Sequence, residues 1–144
     1  MKKATLMLAV LAMTGCMSPQ MANEIHQGNL KAKENLVAAT KNNSFECQNK
    51  SSCDKAFSLT KIYINENSDM RVQQTDETTV TTFGPRKFSG NVGINATRMP
   101  GKGESATITI IVVQDKYADD TATLRRVADI YNGFKPFIES KLMD

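Results

Sequence analysis

Apolar residues recur with a helical period in the first half of the chain and with a strand-like period in much of the second. Residues 53–64 carry one stripe at helical spacing, formed by Cys53, Ala56, Phe57, Thr60 and Ile64. The stripe predicts a helix that has Ser51 or Ser52 as its N-cap and that ends at the polar residues 65–68.

Strand-like patterns follow at residues 70–73, 78–83, 92–97 and 107–113. The last is the strongest, because Ile108, Ile110 and Val112 share one face. Ile111 and Val113 lie on its other face, so we expect an interior strand with both faces at least partly covered. The connections between these segments are too short for parallel crossovers, which predicts an antiparallel meander.

A second helical stripe lies near the C-terminus and consists of Leu124, Val127, Tyr131, Phe134 and Ile138. It predicts a helix with Asp119 or Asp120 as its N-cap and a kink at Pro136. A weaker pattern predicts a helix from Leu30 to about Lys41 with Asn29 as its N-cap. The predicted fold is therefore α+β: a helix, a four-stranded antiparallel meander and a C-terminal helix packed on one sheet face, with the weaker helix in front.

The order of elements over residues 50–142 resembles the small TATA-binding-protein-like domains of some bacterial lipoproteins of unknown function. The resemblance is one of layout, without a shared motif. It implies helices packed on one face of a curled sheet, and a shared layout carries no function by itself.

The N-terminus has the features of an export signal. Lys2 and Lys3 precede an apolar run over residues 4–13, which is shorter than the roughly 20 residues that span a bilayer. The run ends in Thr14, Gly15 and Cys16, which resemble the lipobox of bacterial lipoproteins, although the preceding apolar residue is an unbranched Met. The resemblance implies a cleaved signal peptide over residues 1–15 and a Cys16 that carries a diacylglyceryl thioether and an amide-linked acyl chain.

The alternative is an ordinary signal peptide with an incidental cysteine. Cleavage directed by Ala12 and Thr14 would leave a free thiol next to the mature N-terminus, a liability in an oxidising compartment. For a lipoprotein, Met17 is informative because an Asp at that position favours retention at the inner membrane in enteric-type bacteria. We therefore expect a lipid anchor in the outer membrane rather than the inner membrane. Both the periplasmic face and the cell-surface face of that membrane stay open as the side that displays the domain.

Composition of the mature chain limits its partners. The full chain has 18 Lys+Arg and 15 Asp+Glu, and loss of Lys2 and Lys3 leaves 16 against 15. A nearly neutral domain lacks the basic surface of a nucleic-acid-binding protein, so we expect no nucleic-acid partner. We expect a flexible tether over residues 16–28, which contains Pro19 and Gly28, and one α+β domain over residues 29–144.

Cys47 and Cys53 are the two cysteines besides Cys16, and in an exported chain we predict that they form a disulfide. A metal site would need further thiolates or histidines nearby, but His26, the single histidine, lies in the predicted tether. A redox pair is disfavoured because the spacing is not Cys-x-x-Cys. We expect neither a metal nor any other cofactor.

No constellation of catalytic residues is evident, so we expect a non-catalytic binding or structural module rather than an enzyme. Its contact surface would be the Thr-rich strand face, the loop 47–53, or the hairpin tip formed by Phe83, Arg86, Lys87 and Phe88. That tip is our candidate binding patch, with an envelope protein or glycan as the partner. One alternative buries both phenylalanines in the core, and another makes the chain a small periplasmic hydrolase or ligand carrier with a pocket between helix and sheet.

Overall fold

The computed structural model describes residues 18–143 and contains three α-helices and five β-strands within that range. A short 3₁₀ helix, Thr40–Asn42, joins the first helix to the first strand. In chain order the elements are α1 (Pro19–Ala39), β1 (Ser44–Cys47), α2 (Lys50–Asn67), β2 (Val72–Thr75), β3 (Thr79–Thr82), β4 (Val92–Pro100), β5 (Ala106–Gln114) and α3 (Thr121–Leu142). The predicted α+β class is confirmed.

The sheet is antiparallel throughout, in the order β1-β5-β4-β3-β2. Strands β2 to β5 form the predicted meander, but the prediction of four strands is wrong by one. The missing strand, β1, pairs with the free edge of β5, where Phe45 lies opposite Ile108. This strand is only four residues long, so long-range pairing rather than a local pattern determines it.

The helices cover one face of the sheet. Ile108 and Ile110 of β5 are fully buried on that face, together with Phe134 and Ile138 of α3. On the opposite face Ile111 is 57% exposed. Thr107, Thr109 and Val113 on this face are partly buried, so the expectation that both faces of β5 are at least partly covered is confirmed, and β5 is an interior strand as predicted.

The two strongly predicted helices form with small changes at their ends. Helix α2 begins two or three residues earlier than expected, because Asn49 rather than Ser51 or Ser52 is its N-cap. The Asn49 side chain accepts from the Ser52 amide at 2.9 Å, and Ser52 takes part as the third helical residue of a capping box. Helix α3 has the predicted Asp120 as its N-cap.

Helix α3 continues through Pro136, so this proline does not end the helix. Proline removes the hydrogen bond to the carbonyl four residues earlier, that of Asn132. Both residues are exposed, and water can therefore satisfy that carbonyl. On the buried side, a Cβ at Gly133 would lie 2.8 Å from the Tyr63 hydroxyl, which donates to the Ile130 carbonyl at 2.6 Å. Burial raises the pKa of Tyr63 to about 12.

Helix α1 begins much earlier than the sequence pattern predicts. Its N-cap is Ser18, whose hydroxyl accepts from the Met21 amide at 3.2 Å, and Pro19 occupies the first turn. The predicted flexible tether is therefore helical from Pro19 onward, and the predicted N-cap at Asn29 is wrong. Residues 18–27 are all exposed, whereas the later part of α1 packs on α3 through the buried Ala32 and Ala39.

Helices α1 and α3 run in the same direction. The Thr121 hydroxyl donates to Asn29 near the start of α3, and Asn42 bonds Asn132 at 2.8 Å further along. Residues 19–28 of α1, which we call the overhang, therefore extend beyond the N-terminus of α3, and all of them except the partly buried Gly28 are exposed. Within residues 18–143, no helix combines the length and the apolar character needed to cross a membrane.

The element directions give the molecule two distinct ends. The aromatic end consists of the loops 83–91 and 115–120, which meet because Val92 lies opposite Gln114. The overhang of α1 projects from this end. The disulfide end consists of the loop 47–53 and the turn 101–105, which meet because Cys47 lies opposite Ala106.

Candidate functional site

The predicted binding patch lies in the loop 83–91 at the aromatic end. Phe83 is 46% exposed and Phe88 is 78% exposed, so the alternative that buried both rings in the core is wrong. Arg86 and Lys87 are exposed in the same loop. All four residues therefore lie within one surface loop.

Phe88 occupies a backbone position that favours glycine. The Ser89 amide donates to the Arg86 carbonyl at 3.2 Å and closes a four-residue turn. Phe88 is the third residue of this turn and has φ 59°, the only positive φ of a non-glycine residue among the described residues. A turn with positive φ at its third residue normally has Gly or Asn there, because a Cβ is disfavoured in the left-handed region. An aromatic residue at this position exposes a large apolar ring at some cost to the fold.

The neighbouring loop 115–120 holds Phe88 in place. The Phe88 ring stacks on the Tyr117 ring, with ring centroids 4.9 Å apart and an interplanar angle of 19°. The Phe88 amide donates to the Asp115 carboxylate, and the Asp115 carbonyl accepts from the Ala118 amide at 2.9 Å. The Lys116 ammonium lies 4.7 Å from the centre of the Tyr117 ring. The patch therefore extends beyond the predicted residues to Lys116 and Tyr117.

The carboxylates of the aromatic end already have partners. Asp115 binds the Phe88 amide, Asp119 lies 3.6 Å from the Lys33 ammonium, and Asp120 caps α3. By contrast, no salt bridge within residues 18–143 involves Arg86, Lys87 or Lys116. Arg86, Lys87 and Lys116 therefore form no ion pair within that range, although the loops 83–91 and 115–120 also contain three carboxylates and have no net formal charge.

Asp120 fixes the beginning of α3 beside this surface. Its carboxylate accepts from the Thr123 hydroxyl at 2.6 Å and from the Thr123 and Ala122 amides at 3.0 Å each. These hydrogen bonds, that of the Thr123 hydroxyl above all, hold the pKa of Asp120 below its usual value. The carboxylate therefore remains ionised and anchors the helix that follows the Tyr117 loop.

The disulfide end has a different construction. Cys47 and Cys53 form the predicted disulfide, with a Cα–Cα distance of 5.2 Å and both residues buried. Beside it is a cleft of about 340 Å³. In this cleft the Asp54 carboxylate accepts from Lys50 and from Arg98, each at 2.7 Å. The hydrogen bonds from Lys50, then from Arg98, lower the pKa of Asp54.

The charged residues of this cleft have both signs, and they are poorly arranged for catalysis or for binding a substrate. Lys50 and Arg98 face the carboxylates of Asp54, Glu77 and Glu104 across it. The two cations both bind Asp54, so neither is free to hold an anionic substrate. Across residues 18–143, no group of three His, Cys, Asp or Glu residues is arranged to hold a metal ion.

Two pairs of adjacent carboxylates in the sequence, Asp76-Glu77 and Asp119-Asp120, have structural positions. Asp76 accepts from the Thr78 amide at 2.7 Å and the Thr79 amide at 2.8 Å, which makes it a turn residue. Asp120 is the helix cap described above. His26 is exposed on the overhang of α1. Cys16, the predicted lipidation site, lies outside the described residues.

The space between the helices and the sheet is filled. Fully buried side chains occupy it, the largest being Phe134, Ile64, Ile94, Ile108, Ile110 and Ile138. The chain matches no protein-family model, and comparison with curated proteins and with solved structures gives no match either.

Proposed function

We propose that this chain is a lipoprotein of the bacterial cell envelope, anchored in the outer membrane by acylated Cys16, and that it acts as a non-catalytic binding module. The lipobox-like residues 13–16 and the disulfide between Cys47 and Cys53 support export, because structural disulfides persist in oxidising compartments. An anchor with several acyl chains holds a protein permanently, where a single chain gives only marginal binding.

The observation that carries the binding role is the exposed Phe88 ring at a glycine-favoured turn position. Large exposed aromatic side chains are characteristic of contact surfaces, especially when polar and charged residues surround them. Here the ring stacks on Tyr117, and Asp115 binds the backbone amide of Phe88. The aromatic end is therefore the contact surface that we propose.

The alternative of a small hydrolase or ligand carrier required a pocket between helix and sheet. The filled core leaves that role without a binding volume at the place where we expected one. The cleft at the disulfide end offers a carboxylate that is already bound by Lys50 and Arg98. These features favour a binding module over catalysis.

The intact mass of the protein extracted from host membranes tests the anchor. We expect the mass of residues 16–144 plus acyl groups, with a gain of two hydrogens when Cys47–Cys53 is reduced. A Cys16→Ser variant is the control and should carry no acyl group. An unacylated mass for the unaltered chain, or cleavage elsewhere, would refute the lipoprotein assignment.

A further inference from the structure

We propose that the aromatic end docks onto the surface of the same membrane that holds the lipid anchor, with Phe88 and Tyr117 entering the interface and Arg86, Lys87 and Lys116 contacting anionic lipid headgroups. The inference rests on the proposed function, because it takes the anchor at Cys16 as the starting point. It names the partner of the candidate site as an anionic phospholipid surface.

The first argument is position. The described chain begins at Ser18, two residues after the proposed anchor, and enters the overhang of α1 directly. This overhang projects from the aromatic end, since α1 runs parallel to α3 and residues 18–27 are exposed. The membrane therefore lies on the side of the molecule that carries Phe88 and Tyr117, and the disulfide end faces away from it.

The second argument is reach. An α-helix rises about 1.5 Å per residue, so the overhang over residues 19–28 is about 15 Å long. An upright helix would hold the aromatic end at about that height, and any tilt brings it closer to the headgroups. Gly28 lies where the overhang meets the packed part of α1, and glycine lowers the cost of bending a helix there. Met21 and Ile25, both about half exposed, lie one turn apart on the overhang and add apolar contact in a tilted arrangement.

The third argument is chemistry. Amphipathic aromatic rings favour the membrane–water interface, and Lys or Arg beside them attract anionic lipids. The patch has both: within residues 18–143 its three cations have no salt bridge, although three carboxylates lie in the same two loops. At the disulfide end Lys102 also has no salt bridge in that range, but Lys50 and Arg98 are bound to Asp54, and the loop 47–53 and the turn 101–105 contain no aromatic residue. A lipid surface also needs no shaped pocket, and Phe88 lies on an exposed turn.

A single introduced tryptophan tests the docking. The chain contains no tryptophan, so Phe88→Trp provides the only indole signal. The acylated full-length protein would be reconstituted into phosphatidylethanolamine vesicles containing phosphatidylglycerol, with brominated acyl chains as quenchers. Met99→Trp is the matched control, because Met99 is 60% exposed and lies on β4 towards the disulfide end.

We expect the bromines to quench the tryptophan at residue 88 and iodide in solution to reach it poorly, with the reverse result at residue 99. Each basic residue near an anionic surface contributes roughly fivefold to binding. Arg86→Gln combined with Lys87→Gln should therefore shift the docked-to-undocked ratio by about 25-fold towards undocked. High salt should act in the same direction, because it screens exposed charges.

Several outcomes would overturn the docking. One is equal bromine quenching and equal iodide access at residues 88 and 99 in an acylated protein. Another is protection of residue 88 only in whole envelopes, with crosslinks to a protein or a glycan, which would assign the patch to that partner. A mass that lacks acyl groups would refute the proposed anchor separately, and the unacylated chain mixed with the same vesicles would then decide the docking by the same quenching comparison.

Discussion

The two ends of the molecule use similar residue types in opposite ways. At the disulfide end the cysteines are buried in a covalent bond, and the cations Lys50 and Arg98 are both bound to Asp54. At the aromatic end the carboxylates are occupied by backbone amides, a helix cap and Lys33, and the cations of the patch are left without a salt bridge among residues 18–143. The difference indicates that the disulfide end stabilises the fold and that the aromatic end is available for contact with a partner.

The two ends also differ in what their residues contribute to stability and in how exposed their side chains are. The disulfide joins α2 to β1, the edge strand that the sequence pattern did not predict. The aromatic end instead holds Phe88 at φ 59° and leaves its ring 78% exposed. Substitutions at the disulfide end should therefore change unfolding more than docking, and substitutions in the exposed patch should do the reverse.

The largest change in stability is expected from loss of the disulfide. Replacing Cys47 and Cys53 by Ala removes the constraint on a short loop, and chain entropy alone predicts a loss of about 2 kcal/mol in the free energy of unfolding. Chemical denaturation of the purified protein measures it. The quenching of a tryptophan at residue 88 by brominated lipid should stay unchanged, because the two ends are distant. A variant as stable as the unaltered chain would contradict the role that we assign to the disulfide.

An intermediate change is expected at the cap of α3. Asp120→Ala should lower the free energy of unfolding by about 1 kcal/mol at neutral pH, the usual cost of losing an N-cap. Because the pKa of Asp120 is lower in the folded chain than its ordinary value of 3.8, ionised Asp120 stabilises the fold above that pH. The stabilisation is lost as the pH falls through the folded pKa, so the unaltered chain and the variant should converge in acid.

Asp54→Asn at the disulfide end is the matched comparison for this cap. The pKa of Asp54 is also lowered, so its contribution to stability is likewise lost in acid. Its partners are the exposed Lys50 and the less exposed Arg98, and salt should therefore weaken its contribution. The contribution of Asp120 depends on hydrogen bonds to Thr123 and Ala122, and it should change less with salt. Equal salt dependence of the two variants would remove this distinction between the ends.

The parts of the fold that could be predicted from sequence are those with a local apolar period. Helix α3 shows a stripe at residues such as Leu124 and Phe134, and all five residues of that stripe are buried. The N-terminal half of α1 has no such stripe, because it is exposed and its later half packs through Ala32 and Ala39. Pattern analysis therefore interpreted its first ten residues as a coil, although Ser18 and Pro19 carry the signals of a helix start.

The candidate site also contains residues that could be predicted from the sequence and one that could not. Phe83 and Phe88 could be singled out because they flank the turn-forming Gly84 and Pro85 in the sequence. Tyr117 could not, because its contact with Phe88 depends on the register that sets Val92 opposite Gln114. Register between distant strands is a property of the folded sheet, and a single sequence does not determine it.

The smallest change in stability, and the most informative, is expected at Phe88. Phe88→Gly loses the stacking on Tyr117, worth about 0.5–1.5 kcal/mol, but relieves a left-handed backbone that costs a residue with a Cβ about 1–2 kcal/mol. The two effects nearly cancel, so the free energy of unfolding should change by less than about 1 kcal/mol. Phe88→Ala loses the stacking without relieving the backbone, and it should be the less stable of the two variants.

Chemical denaturation of both variants measures this order, and an alanine variant as stable as the glycine variant would argue against a positive φ at this turn. Docking should respond differently, because both variants lack the ring. A tryptophan placed at Tyr117, next to the missing ring, should lose its quenching by brominated lipid equally in both. Equal loss of membrane contact with unequal stability would separate the two roles of residue 88: its backbone conformation burdens the fold, and its ring serves the surface.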